Sequence, residues 1–192
     1  SSRVVDCRSY TWLSSQNMSL GGPLARGATV YMAKKFSRGS YFTWVKKYHA
    51  TIGVVVPTIL NMFLNRPVDI NGKEIPHLRF LMTSSAPMLP ENWANFEKQY
   101  GIRICQSAGC SEGGLMSSHR GIDRKIGTIG FPLKYQNIRL LDADDNEVPQ
   151  GQAGQIVISG QQKSWGYLHP DGRIEKLPQE HRTGDLGRID ED

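Results

Sequence analysis

Between Gln106 and Gly114 the chain reads Gln-Ser-Ala-Gly-Cys-Ser-Glu-Gly-Gly, with two hydroxyls, one carboxylate and three glycines in nine residues. A short apolar run, Gly101-Ile-Arg-Ile-Cys105, leads into it. A strand followed by a glycine-rich turn with an acid is how open α/β sheets build ligand sites at their carboxyl edges. Two further polar turns follow apolar runs, Thr83-Ser-Ser-Ala-Pro87 and Arg182-Thr-Gly-Asp185. Together the three turns point to a nucleotide site. Alone, the first reads equally well as a surface loop.

The elements that must position these turns fall into two textures. Up to about residue 120, strands alternate with helical patterns. Ala28-Thr-Val-Tyr-Met-Ala33, Ile52-Gly-Val-Val-Val56, Leu78-Arg-Phe-Leu-Met82 and Ile102-Arg-Ile-Cys105 read as strands. Leu13 to Gly27 is helix-like in its middle, with Gly21-Gly-Pro23 interrupting it. Tyr41, Trp44, Val45 and Tyr48 share one helical face, and Pro57 opens a second helix that Arg66-Pro67 ends. Pro90 and Glu91 open a third, with Leu89, Trp93, Phe96 and Tyr100 as its buried stripe and Gly101 as its stop. This order predicts a largely parallel sheet with helical crossovers over residues 1–124, an α/β unit. From residue 125 to 192 helical periodicity is absent. Short strands at Ile138–Leu141, Gln155–Ile158, Gly172–Ile174 and Leu186–Ile189 predict a small antiparallel, barrel-like β unit.

Composition narrows the function classes. Hydrophobic residues make up 39% and charged residues 21%, as in ordinary globular proteins. The net charge of +5 is scattered and no five-residue block is basic, which reads as mild attraction for anions and not as a nucleic-acid footprint. No apolar run approaches the ~18 residues of a membrane span. Cys7, Cys105 and Cys110 are odd in number and lack CxxC spacing, which fits a reducing, cytoplasmic setting. No signal peptide is visible at the start of the chain. The five histidines lie far apart with no pairing at helical spacing, which argues against a transition-metal site.

Taken in order, the turns resemble those of the adenylate-forming enzymes: acyl-CoA synthetases, luciferases and the adenylation domains of peptide synthetases. Thr83-Ser-Ser-Ala-Pro-Met-Leu89 is similar to the family's small-residue turn ending in Ala-Pro-Leu. Gln106-Ser-Ala-Gly-Cys-Ser-Glu112 is similar to its Gln-Gly-Tyr-Gly-x-Thr-Glu motif, and Arg182-Thr-Gly-Asp-Leu186 to its Arg-Thr-Gly-Asp motif. Gly127-Thr-Ile-Gly-Phe-Pro132, Gly154-Gln-Ile-Val-Ile-Ser-Gly160 and Gly166-Tyr-Leu168 fit the segments between. On this resemblance the family's phosphate loop is expected upstream of residue 1, and its hinge and lysine-bearing small domain downstream of Asp192. The chain then corresponds to a piece of the large domain, inactive by itself.

The resemblance implies an AMP-forming acid:CoA ligase that activates a carboxylic acid with ATP and passes the acyl group from acyl-AMP to CoA. It assigns Glu112 to Mg²⁺, since carboxylate oxygen is the hard ligand that ion prefers. Ser111 would donate to the α-phosphate and Asp185 would accept both ribose hydroxyls. Ser85, Ala86 and Pro87 would lie against adenine, with Gln106, Ala108, Gly109 and Cys110 completing the nucleotide side. The family usually carries an adenine-stacking aromatic where this chain has Ala108, or next to the glycine, where it has Cys110. Trp12-Leu-Ser-Ser-Gln16 resembles the acetyl- and medium-chain pattern, in which Trp12, Leu13 and Ser14 line the acyl pocket and Gln16 stands where a histidine is common. Trp12 is equally a core residue by its type. Asp6 is close enough in sequence to receive a substrate ammonium. A carrier-protein thiol in place of CoA, and a non-catalytic nucleotide-binding or interaction relative, are the alternatives. Oligomeric state is not encoded in any of these features.

Overall fold

A computed structural model describes residues 1–121 and 123–192. The chain divides into two compact units, one of residues 1–108 and 118–131, the other of residues 109–117 and 132–192. Among the described residues no helix is long and apolar enough to cross a membrane.

The first unit is built on parallel strands in the order β2-β1-β3-β4-β5, namely β1 (Arg3–Asp6), β2 (Thr29–Met32), β3 (Ile52–Val55), β4 (Phe80–Thr83) and β5 (Ile104–Cys110). Four helical crossovers connect them. A wide helix, Ser15–Gly21, runs straight into α1 (Gly22–Ala25); α2 (Tyr41–Lys47) and α3 (Pro57–Asn65) follow, and α4 (Pro90–Tyr100) precedes β5. The Gly-Gly-Pro sequence therefore continues a helix where its composition suggests a break. Pro23 sits in the first turn of α1, where a missing N–H costs little, and the Gly22 N–H reaches back five residues to the Asn17 carbonyl.

Aromatic side chains fill the core. Tyr41, Phe63, Trp93, Phe96 and Tyr100 are fully buried, and Phe42 packs within 4.9 Å of Phe63, centroid to centroid. Burying each such side chain stabilises by roughly 1.5–3 kcal/mol. Leu89 departs from its expected place on this face: it is 68% exposed. It is the residue before α4 and has extended backbone, so the helical period does not apply to it. Gly101 closes α4 at φ 64°, a left-handed conformation in which a side chain is strained.

Two polar networks, one buried and one half-buried, hold the strand ends. Asp6, the last residue of β1, is wholly buried, and its carboxylate takes three guanidinium hydrogen bonds from Arg8, the shortest 2.9 Å. Arg8 then donates to Ser19 Oγ at 2.7 Å and Ser14 Oγ at 3.3 Å, tying the wide helix to the strand. Glu97 on α4 does the same for β5: its Oε1 accepts from Ile104 N at 2.7 Å and from the Trp93 indole at 2.8 Å, while Oε2 pairs with Arg124 at 2.7 Å.

β5 runs farther than its apolar residues imply, through Gln106, Ser107 and Ala108 to Cys110. Polar side chains can lie inside a sheet only when they find partners. Ser107 Oγ donates to the Thr83 carbonyl, and the Gln106 N–H donates to His119 Nδ1 at 2.9 Å. That leaves His119 Nε2–H to donate to Thr128 Oγ1 at 3.0 Å, whose own hydroxyl donates to the Lys125 carbonyl.

The second unit centres on an antiparallel sheet, β12-β9-β8, with β8 (Gln136–Leu141), β9 (Ala153–Gly160) and β12 (His181–Arg188). Leu140, Leu141, Ile156, Val157 and Ile158 are its buried apolar residues. A hairpin of β10 (Gly166–Leu168) and β11 (Ile174–Lys176) accompanies it. The sequence reading of a mostly parallel α/β sheet followed by small antiparallel β structure matches what is seen. β6 (Gly114–Ser118) is a strand that the sequence pattern did not announce, and β7 (Phe131–Pro132) is a two-residue stub.

Two outcomes follow from the buried networks. Arg8→Ala leaves the Asp6 carboxylate buried without its partner and should cost about 3–5 kcal/mol, read as a lower urea midpoint with unchanged slope. Burial, aided by the nearby Arg124 charge, holds the His119 imidazole below its usual value of 6.5. A depressed folded-state pKa gives stability that is complete above 6.5 and is lost as pH falls through the lower folded value. Denaturation midpoints should therefore fall between pH 7.5 and 5 by more in the wild type than in His119→Gln.

Candidate functional site

In the first unit the motif residues sit at the carboxyl ends of β4 and β5. Ser85, Ala86 and Pro87 are exposed on the loop after β4, and Ser85 takes a positive φ of 75°. That conformation is uncommon outside glycine and marks a loop held by its surroundings. What holds it is Gln106. The Gln106 side chain is 4% exposed, and its amide donates to the Ala86 carbonyl at 3.2 Å. The loop therefore leaves the small residues Ser85, Ala86 and Pro87 exposed. Ala108 is half-buried and next on the same strand.

The residues expected at the acyl side lie after β1. Trp12 is 67% exposed, and its carbonyl accepts from the Ser15 and Gln16 N–H groups. Gln16 donates its side-chain amide to the Tyr10 carbonyl at 2.9 Å; Leu13 and Ser14 are half-buried, with Ser14 fixed by Arg8. Asp6 is fully taken up by Arg8, so its carboxylate offers no accessible oxygen to an ammonium group.

In the second unit, β5 ends at Cys110 and the chain turns through Ser111, Glu112 and Gly113 into β6. Only glycines allow this turn. A Cβ on Gly109 would lie 2.4 Å from the Gly114 carbonyl oxygen, and one on Gly113 would lie 1.8 Å from Ile158 Cδ1. The turn is tied down from outside. Ser164 donates its Oγ to the Ser111 carbonyl at 2.8 Å and its N–H to the Glu112 carbonyl. Gln136 donates its amide to the Gly113 carbonyl at 2.6 Å and the Leu115 carbonyl at 3.2 Å. With the backbone fixed, the Ser111 side chain is left exposed.

Glu112 is half-buried. Its Oε1 accepts from the Tyr167 hydroxyl at 3.0 Å, and its Oε2 lies 4.0 Å from His181 Nε2. Its own backbone N–H holds the carboxyl below the usual carboxylate range; the Tyr167 hydroxyl and His181 add to this, and burial opposes it. The group is an anion at neutral pH. One oriented carboxylate fits the way Mg²⁺ is held, by one or two carboxylates with phosphate and water filling the remaining positions.

Arg182-Thr-Gly-Asp185 is a bulge inside β12, where the sequence reads as a turn. Arg182 pairs with Val157 and Leu186 with Gln155, so Thr183, Gly184 and Asp185 together oppose Ile156. Thr183 Oγ1 donates to the Ile156 carbonyl at 3.0 Å and accepts from the Asp185 N–H at 3.1 Å, and Gly184 supplies φ 80°. Pushed out of the ladder in this way, the Asp185 side chain is exposed. Sequence reasoning missed the supports: His119 and Glu97 in the first unit, and Ser164, Tyr167, Gln136 and His181 in the second. Tyr167 lies in one of the recognised segments, Gly166-Tyr-Leu168, but nothing in the spacing links it to Glu112, 55 residues away.

Known proteins resemble this chain in sequence and in fold. A family model described as AMP-binding enzyme matches residues 2–168. The sulfoacetate–CoA ligase of Cupriavidus necator is 34% identical over 88% of this chain and 34% of its own length. A 4-coumarate–CoA ligase of Petroselinum crispum is 28% identical over 93% of this chain and 35% of its own. Among solved structures, an anthranilate CoA ligase in complex with anthranoyl-AMP superposes with TM-score 0.83 at 20% identity, covering all of this chain and 38% of that one. The O-succinylbenzoate coenzyme A synthetase of Bacillus subtilis, in complex with AMP, superposes at 0.80 with 19% identity over 99% of this chain and 39% of that one. The chain thus spans about a third of the length of these relatives. With the motif order, the fold and a match over residues 2–168 in agreement, the chain belongs to the AMP-binding, adenylate-forming enzymes.

Proposed function

We propose that the full-length protein is an AMP-forming acid:CoA ligase: it joins a carboxylic acid to ATP as acyl-AMP and then passes the acyl group to CoA. The observation that carries this reading is the turn Cys110–Gly113, whose carbonyls are tied by Ser164 and Gln136, with Ser111 exposed and the Glu112 carboxyl held below the usual carboxylate range. Curated relatives named as CoA ligases support CoA over a carrier-protein thiol as the acceptor.

In the first step a carboxylate oxygen attacks the α-phosphorus and pyrophosphate leaves. Negative charge accumulates on the α-phosphate, and donors fixed before the reaction are worth the most there. The Ser111 hydroxyl is assigned to that phosphate. Glu112 would hold Mg²⁺, which supplies charge neutralisation on the phosphates when bound. Asp185, exposed on its bulge, accepts the ribose hydroxyls. The Ser85–Pro87 loop, backed by Gln106, lies against adenine, and Ala108, Gly109 and Cys110 contribute no stacking ring. A base–aromatic stack is worth ~1–3 kcal/mol, so nucleotide affinity is lower by about that amount unless another ring supplies it. Trp12, Leu13, Ser14 and Gln16 are assigned to the acyl group, with Trp12 limiting its length.

The full-length protein should exchange labelled pyrophosphate into ATP in the presence of its acid, and silence across a broad acid panel would defeat the proposal. Glu112→Ala should lower that exchange by about 10²-fold, the size typical of losing one transition-state contact; a near-native rate would remove Glu112 from the mechanism. Trp12→Ala should move kcat/KM toward longer acids, and an unchanged chain-length profile would remove Trp12 from the acyl pocket.

A further inference from the structure

Glu112 has two neighbours, Cys110 and His181, whose thiol and imidazole take no part in the proposed adenylation steps. Cys110 Sγ, a Glu112 carboxylate oxygen and a His181 ring nitrogen all lie within 4.8 Å of one another, and all three residues are half-buried. We propose that this cluster is a binding site for a borderline transition-metal dication, Zn²⁺ above all, distinct in chemistry from a Mg²⁺ site.

The donor set makes the distinction. Thiolate and imidazole select zinc-like ions, whereas Mg²⁺ prefers oxygen alone. One thiolate and one carboxylate neutralise a dication, and a neutral imidazole completes three protein ligands. That count leaves a fourth position for water or another ligand, as in open zinc sites. Around such an ion, bonds of ~2.0–2.3 Å place neighbouring ligand atoms roughly 3.3–3.8 Å apart. The cluster therefore needs to close by about an ångström at its widest, within reach of side-chain rotation. On binding, the Cys110 thiol proton goes to solvent and sulfur donates its electron pair to the metal.

The second layer of contacts is also of the kind that metal ligands have. The Gly113 N–H points at Cys110 Sγ, 3.3 Å away, a donor suited to a thiolate. The Tyr167 hydroxyl engages Glu112 Oε1, and Oε2 is the oxygen paired with His181. The three ligands come from separate pieces of structure: the end of β5, the following turn and the first residue of β12. The histidine is 71 residues from the cysteine, so the sequence spacing gave no sign of it. On the reading of Glu112 given above, and resting on that reading, bound Zn²⁺ would draw the carboxylate away from the Mg²⁺–nucleotide and inhibit adenylation; the binding itself does not depend on it.

The test is a titration of the reduced, metal-stripped full-length protein with Co²⁺ and then Zn²⁺, with excess Mg²⁺ present. One equivalent of Co²⁺ should produce a thiolate-to-cobalt charge-transfer band that Zn²⁺ abolishes by displacement. Cys110→Ser should remove the band and weaken Zn²⁺ by at least ~10-fold, and His181→Gln should weaken Zn²⁺ comparably while keeping the band. Cys7→Ser should change neither, since that thiol is buried. Absence of a cobalt band, or Zn²⁺ affinity equal to wild type in both the Cys110 and His181 variants, overturns the site. A band with no pyrophosphate exchange would sink the ligase reading and leave this site standing; exchange with no band would do the reverse.

Discussion

The first unit depends on placing polar side chains in the middle of a sheet and satisfying them there. Gln106 and Ser107 lie on β5 with almost no solvent exposure. An unpaired buried polar group costs about 1–3 kcal/mol, so each must find a partner or the strand must end early. The partners they find are the backbone of the preceding strand and loop, Thr83 and Ala86, with His119 accepting the Gln106 N–H. Satisfying the strand thereby fixes the Ser85–Pro87 loop in its strained conformation. The same bonds stabilise the strand and set the shape of the exposed loop beside it.

The second unit solves a related problem with backbone irregularity. A regular β12 would keep Thr183 to Asp185 in its ladder; putting three residues opposite one expels the acid while Thr183 closes the loop onto Ile156. At the other turn, glycines let backbone approach backbone, and Ser164 and Gln136 lock the result. Glu112 and Asp185 are thus carried on hydrogen-bonded backbone frames, with Tyr167 also holding the Glu112 carboxylate.

Much of this was legible in the residues. Apolar runs separated by amphipathic segments gave the parallel sheet, and Gly101 and Pro90 marked the limits of α4. The motif order alone identified the family. The rest was hidden for physical reasons. Sequence period cannot tell that Gln106 and Ser107 continue a strand, because that depends on partners some 13 to 24 residues away. It cannot distinguish a turn from a bulge at Arg182–Asp185, because the opposing strand decides. Leu89 looked like the start of a helical stripe but precedes the helix, and Gly-Gly-Pro looked like a break but fell at a first turn. His181 and Cys110 meet only through strand pairing, so no spacing rule brings them together.

On the proposed ligase reading, a carboxylate oxygen of the substrate becomes bonded to the α-phosphorus of ATP. It is tested most directly by supplying the full-length enzyme with its acid labelled with ¹⁸O in the carboxylate and following the label through one turnover to the thioester. Attack at the α-phosphorus leaves one labelled oxygen in the AMP released and none in pyrophosphate. Label in inorganic phosphate, or unlabelled AMP beside a completed thioester, would rule that reaction out.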